Sequence, residues 1–79
     1  MRGKKIILGL DPGTNIMGFG LIEIQNENIK LIQYGIINLK KYQDHSEKLQ
    51  MIFENVNNLI RDYNPGAISI ESPFFGKNV

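Results

Sequence analysis

Two apolar runs in this chain each end directly in a carboxylate. Ile6-Ile7-Leu8-Gly9-Leu10 leads into Asp11, and Ala67-Ile68-Ser69-Ile70 leads into Glu71. Both runs read as buried strands, and each acid stands ahead of a breaker, Pro12-Gly13 after the first and Pro73 after the second. An acid at the mouth of a hydrophobic strand is costly to bury unless it is paired or bound to metal. If the two strands lie side by side, their acids converge at one sheet edge and make a seat for divalent cations, which take oxygen ligands. Any fold proposed for the chain has to answer whether its first and last strands are neighbours.

The segments between the two acids order the chain as β-β-β-α-β. Lys5 to Leu10 is apolar on both faces, as a central strand requires. Asp11-Pro12-Gly13-Thr14-Asn15 concentrates turn formers, and Met17 to Gln25 resumes as a second strand. Gly18 and Gly20 within it mark a bulge or a close backbone approach. Asn26-Glu27-Asn28 is a polar turn and Ile29 to Asn38 a third strand, so the first three strands form an antiparallel meander. The period then changes. Leu49, Ile52, Phe53, Val56, Leu59, Ile60 and Tyr63 fall on one helical stripe and are expected to face the core. Asp44 with Glu47 resembles a capping box, and Asn64-Pro65-Gly66 ends the helix. A helix followed by the run Ala67 to Glu71 implies a crossover to a strand parallel to one already in the sheet.

Size and composition narrow the class. With 79 residues there is at most one domain and a marginal core, while 42% hydrophobic residues are too many for a disordered chain. The absence of cysteine removes any disulfide or thiolate-zinc framework and permits a reduced, cytoplasmic setting. The basic start Met1-Arg2-Gly3-Lys4-Lys5 precedes too short an apolar run for a signal peptide, and nothing reaches membrane-spanning length. The net charge of +1 excludes little, because a nucleic-acid binder can gather its cations on one face. One helix covers one face of a four-stranded sheet, whereas a sheet with a parallel pair is normally buried on both. The expectation is therefore an N-terminal piece of a longer domain, its C-terminal part missing.

Ile7-Leu8-Gly9-Leu10-Asp11-Pro12-Gly13-Thr14, Gly18-Phe19-Gly20, Ile70-Glu71, Phe74 and Lys77-Asn78 together resemble the RuvC-type Holliday-junction resolvases, endonucleases of the ribonuclease H-like superfold. The resemblance runs from about Lys5 to Asn78. It implies an α/β fold, a mixed sheet with three antiparallel strands, a crossover helix and a fourth parallel strand, with helices on both faces in the whole domain. It also implies magnesium, with two ions in a complete active site. Asp11 matches the first catalytic and metal-binding carboxylate and Glu71 the second, with further ligands on a late helix. Phe74 and Phe75 match aromatics that probe the opened centre of a four-way junction, and Lys77 and Asn78 a polar stretch beside them. The same likeness implies a homodimer, the RuvA-RuvB branch-migration complex as partner, and paired nicks in recombination and repair. A piece of 79 residues lacking the late ligands is expected to be inactive alone.

Each of these residues has an ordinary reading too. Asp11 suits an Asx turn, Glu71 a solvated strand end, and Phe74 and Phe75 a pair packing back on the core. Lys77 suits plain surface. Read functionally, the two Phe offer stacking for unpaired bases, and Thr14 and Asn15 offer a hydroxyl, an amide and backbone N–H groups to a phosphate. His45, at the start of the helix, is assigned no role. Gly9-Leu10-Asp11-Pro12-Gly13-Thr14 also fits the phosphate hairpin of actin-like and sugar-kinase-like ATPases. The YqgF-like relatives of the resolvases, which act on RNA, share the Asp-x-Gly hairpin and are a third reading.

Overall fold

The structure, a computed structural model, describes residues 3–13 and 15–70. Strands β1 (Lys5–Asp11), β2 (Ile16–Gln25) and β3 (Asn28–Asn38) precede helix α1 (His45–Tyr63) and strand β4 (Ala67–Ile70). They form one sheet in the order β3-β2-β1-β4, with β1–β2 and β2–β3 antiparallel and β1–β4 parallel. The expected order of elements is therefore present, and the first and last strands are neighbours. Gly66 N–H donates to the Ile6 carbonyl at 2.8 Å and seats the start of β4 against β1.

The β2–β3 hairpin closes on Gln25 opposite Asn28, leaving Asn26 and Glu27 as a two-residue loop with φ of 57° and 86°. Positive φ at both positions is what the right-handed strand twist demands of such a loop. Asn tolerates it, but a Glu held there costs roughly 1–2 kcal/mol. Glu27→Gly is accordingly expected to raise stability by about 1 kcal/mol, read as a higher Tm. An unchanged or lower Tm would contradict this turn geometry. The bulge anticipated at Gly18 and Gly20 is not there: the β1–β2 register runs unbroken through both, and the irregularity lies between Leu21 and Ile22, where β3 carries the extra residue Ile32. An added residue, not a missing side chain, displaces the ladder.

Asp44 caps α1. Its Oδ1 accepts from the Ser46 N–H at 3.3 Å and its Oδ2 from the Ser46 hydroxyl at 3.1 Å. The cap thus satisfies the second helical N–H, and the reciprocal Glu47 bond of a full capping box is absent among the described residues. Asn64 ends the helix in the left-handed region, its N–H returning to the Ile60 carbonyl at 2.8 Å.

α1 covers one face of the sheet. Leu8, Leu10, Met17, Leu21 and Leu39 are buried there, and Met51, Ile52, Val56, Leu59, Ile60 and Tyr63 pack on them. The expected stripe needs a correction: Leu49 and Phe53 are 53% and 65% exposed. The helix is rolled so that its inward line includes Met51, which leaves those two on an outer flank. Ile29, Leu31, Tyr34 and Ile36 on β3 are also exposed. By register they share the far face with Ile24, Ile22, Gly20 and Gly18, so among the described residues the second side of the sheet has no covering element. Among the described residues no helix is long and apolar enough to cross a membrane.

Candidate functional site

β1 carries its apolar residues to the centre of the sheet and delivers Asp11 at the strand exit, opposite Gly18 on β2. Asp11 is exposed, and among the described residues its carboxylate makes no hydrogen bond or ion pair. On the other side of β1, Leu10 pairs with Ile70. These two residues immediately precede Asp11 and Glu71 in the chain.

The turn after Asp11 is built to hold its shape. A Cβ on Gly13 would collide with the Ile16 carbonyl oxygen, so only glycine fits there. The Asn15 carbonyl accepts from the N–H of fully buried Leu39 at 2.7 Å, and Asn15 Oδ1 accepts from Lys48 Nζ at 3.5 Å. The backbone bond to a buried residue is the firmer of the two, and it ties the turn to the segment leading into α1. Asn15 is thereby placed beside Asp11's strand exit with its side chain exposed.

An open concavity of about 620 Å³ lies next to the acid, lined by Gly9, Leu10, Asp11, Gly18, Phe19, Gly20, Gly35, Ser69 and Ile70. Three of these glycines share the Asp11 face. Ser69, paired with Gly9, also belongs to that face and was not singled out in the sequence. A small polar residue inside the apolar run of β4, two positions before Glu71, was the available signal. Among the described residues no group of three His, Cys, Asp or Glu side chains could hold a metal ion. Among the described residues, Asp11 supplies the carboxylate at this exit. Thr14, Glu71, Phe74, Phe75, Lys77 and Asn78 lie outside the described residues. Lys40, Lys41 and His45 are exposed, and Lys41 sits 5.3 Å above the Tyr42 ring.

A mixed sheet of three antiparallel strands and one parallel strand, with a crossover helix on one face and an acid leaving the central strand, is part of the ribonuclease H-like α/β fold. The family model for crossover junction endodeoxyribonuclease RuvC matches residues 7–79. The chain belongs to the RuvC family. It is 56% identical over 75 residues to a RuvC of Cytophaga hutchinsonii, covering 95% of this chain and 38% of that protein. It is 53% identical over 79 residues to that of Christiangramia forsetii, covering 100% of this chain and 41% of that protein. The chain thus spans about two fifths of the length of these curated relatives.

Solved structures show the same fold at lower identity. T. thermophilus RuvC in complex with Holliday junction substrate matches with a TM-score of 0.76 and 19% identity, over 94% of this chain and 46% of that one. The Aquifex aeolicus PPX-GPPA enzyme matches with a TM-score of 0.66 and 9% identity, over 86% of this chain and 26% of that one. The second likeness shows how widely this strand and helix arrangement is shared. Family membership rests on the sequence relatives.

Proposed function

We propose that residues 1–79 form the N-terminal part of a single ribonuclease H-like nuclease domain. In this reading the whole protein is a magnesium-dependent, structure-selective endonuclease that resolves four-way DNA junctions by paired nicks during recombination and repair. The observation that carries the reading is the β1–β4 register: it pairs Leu10 with Ile70, the residues that precede the two family carboxylates Asp11 and Glu71.

Phosphodiester hydrolysis requires an activated water and neutralised charge on the attacked phosphate. Two divalent ions roughly 3.5–4 Å apart supply both when bound. The chemistry of Asp11 fits such an ion: its oxygens are hard donors, solvent-facing, and not engaged by another described residue. Asp11 and Glu71 would hold the metal, with remaining ligands from the late helix that the family resemblance implies. Thr14 and Asn15 would steady the phosphate beside the turn. Phe74 and Phe75 would stack on unpaired bases, a contact worth on the order of 1–3 kcal/mol per base. Lys77 and Asn78 would touch the backbone close by. Since T. thermophilus RuvC has been solved on a Holliday junction, branched DNA is the proposed substrate here. A two-fold junction calls for two opposed copies of one site, so the proposed assembly is a homodimer. The cytoplasm and the RuvA-RuvB complex are the proposed setting and partner.

The test is cleavage of a synthetic four-way junction against a linear duplex of the same sequence. It is run with magnesium and with the chain extended by the remaining length of the Cytophaga hutchinsonii relative. Paired cuts near the branch point, absent without magnesium, are the expected result. No preference for the branched substrate would defeat the proposal. Tight nucleotide binding without junction affinity would favour the ATPase reading, and a preference for structured RNA the YqgF-like one. The 79-residue chain alone is expected to cut nothing under the same conditions.

A further inference from the structure

The described lysines and arginines divide between the two ends of the sheet. Lys4 reaches Glu23 at 4.0 Å, and register sets Lys5 opposite Ile24 and Lys30 opposite Glu23, at the end where β1 begins. Arg61 bonds Asp62 in the last turn of α1, which leads back to that same end. Lys40, Lys41 and Lys48 stand at the other end, where β1 delivers Asp11. Lys40 and Lys41 are exposed and form no ion pair among the described residues.

Asn15 gathers these cations. The Leu39 N–H bond to the Asn15 carbonyl sets Lys40, the next residue, beside the turn that follows Asp11. Tyr42 N–H returns to the Leu39 carbonyl at 3.1 Å and closes a turn that presents Lys40 and Lys41, the latter resting over the Tyr42 ring. Lys48, half-buried on α1, donates from Nζ to Asn15 Oδ1. That bond fixes which way the Asn15 amide faces. An ammonium only donates, so the amide oxygen turns to Lys48 and its two N–H donors turn away. Of the acids at this end, Asp44 is engaged by the Ser46 N–H and hydroxyl and Asp11 lines the concavity, which leaves Glu47 against three ammonium groups.

We infer that Lys40, Lys41, Lys48 and Asn15 form a ledge that grips the phosphate backbone of the DNA to one side of the cut. The inference rests on the reading of Asp11 as the seat of cleavage. Lysine ammonium groups and side-chain amide N–H donors are what a phosphate backbone is held by, and such contacts set register without reading sequence. β1 and β3 lie two strand spacings apart, about 10 Å, which is the rise of about three nucleotides along one strand. A phosphate at Asp11 and the third one along the same strand therefore meet the protein at two separate places. Asn15, in the turn between β1 and β2, stands between them. Lys48 serves twice, as a charge and as the group that aims the Asn15 donors outward.

The test uses the chain extended by the rest of the Cytophaga hutchinsonii relative and a fluorescent four-way junction, with affinity measured over a range of salt and without magnesium. Lys40→Gln combined with Lys41→Gln should weaken binding roughly 10- to 100-fold at low salt and flatten the slope of log affinity against log salt by about 1 to 2. Lys5→Gln combined with Lys30→Gln removes the same charge at the opposite end and should leave affinity and slope unchanged. Equal losses from the two pairs, or an unaltered slope from the first, would overturn the ledge while the parent's junction binding still upholds the reading beneath it. A parent with no affinity for the junction would defeat that reading and the ledge with it. The aiming of Asn15 has its own measurement. Lys48→Gln keeps an N–H donor for the Asn15 oxygen and Lys48→Met keeps none, so the Met variant should bind at least about threefold more weakly than the Gln variant. Equal affinities would reduce Lys48 to a charge and overturn its positioning role.

Discussion

Asp11→Asn is expected to abolish magnesium-dependent junction cutting while leaving the fold intact. The substitution keeps size and shape but removes the charge that would hold a divalent ion and the second hard donor oxygen. Metal clamping of the transferring phosphate is worth several kcal/mol of transition-state stabilisation, so losing one strand-end ligand should lower the cleavage rate by roughly 10²- to 10⁴-fold. Stability should barely move, because Asp11 is exposed and makes no hydrogen bond or ion pair among the described residues. Single-turnover cleavage in the extended chain is the measurement, beside circular dichroism of the same variant. Glu71→Gln should behave in the same way. Wild-type cutting by both variants would take these acids out of the mechanism. A collapsed fold in the Asp variant would instead give Asp11 the structural role of a turn residue.

Leu8→Ala is expected to have the largest effect on stability. Leu8 is fully buried in the central strand, within the cluster that α1 covers. Truncating a buried leucine costs about 2–5 kcal/mol, through lost transfer energy and the cavity left behind. A domain of this size carries roughly 4–12 kcal/mol in total, so the variant should lose a large share of its stability and unfold at a much lower urea concentration. Ile36→Ala in the 79-residue chain, on the bare face and 64% exposed, should stay within about 0.5 kcal/mol of the parent. Urea midpoints of the two variants decide the point. Equal losses would mean that the core does not lie between the sheet and α1.

The elements of this chain were legible because each has a local cause. Asp-Pro-Gly breaks β1 whatever surrounds it, the polar run Asn26-Glu27-Asn28 marks a reversal, though the register narrows its loop to two residues, and Asn64 ahead of Pro65 stops α1. The strand pairing followed from turn lengths and from the one crossover that a helix permits. The roll of α1 was less legible. Leu49 and Phe53 satisfy the apolar period as well as Ile52 and Val56 do, and only the angle at which the helix meets the sheet leaves them outside. The bulge illustrates the same limit. Glycines in β2 suggested it, whereas Ile32 in β3 supplies it, because registry between two strands is a property of the pair.

The two proposed metal-binding carboxylates, Asp11 and Glu71, stood out in one dimension, each closing an apolar run ahead of a breaker. Ser69 did not, for its significance lies in sharing a row with Gly9 and Gly20.

Composition, strand and helix periods, breakers and the two acids are determined by the chain itself, because each is set by side chains within a few residues of one another. Long-range placement belongs to the tertiary structure. It pairs Leu10 with Ile70, clears a strip across β1 and β2, and turns one apolar face toward α1 and the other away. Those outcomes depend on which strands become neighbours and in what register. That choice is made by burial summed over the whole sheet, a quantity that no short stretch of residues contains.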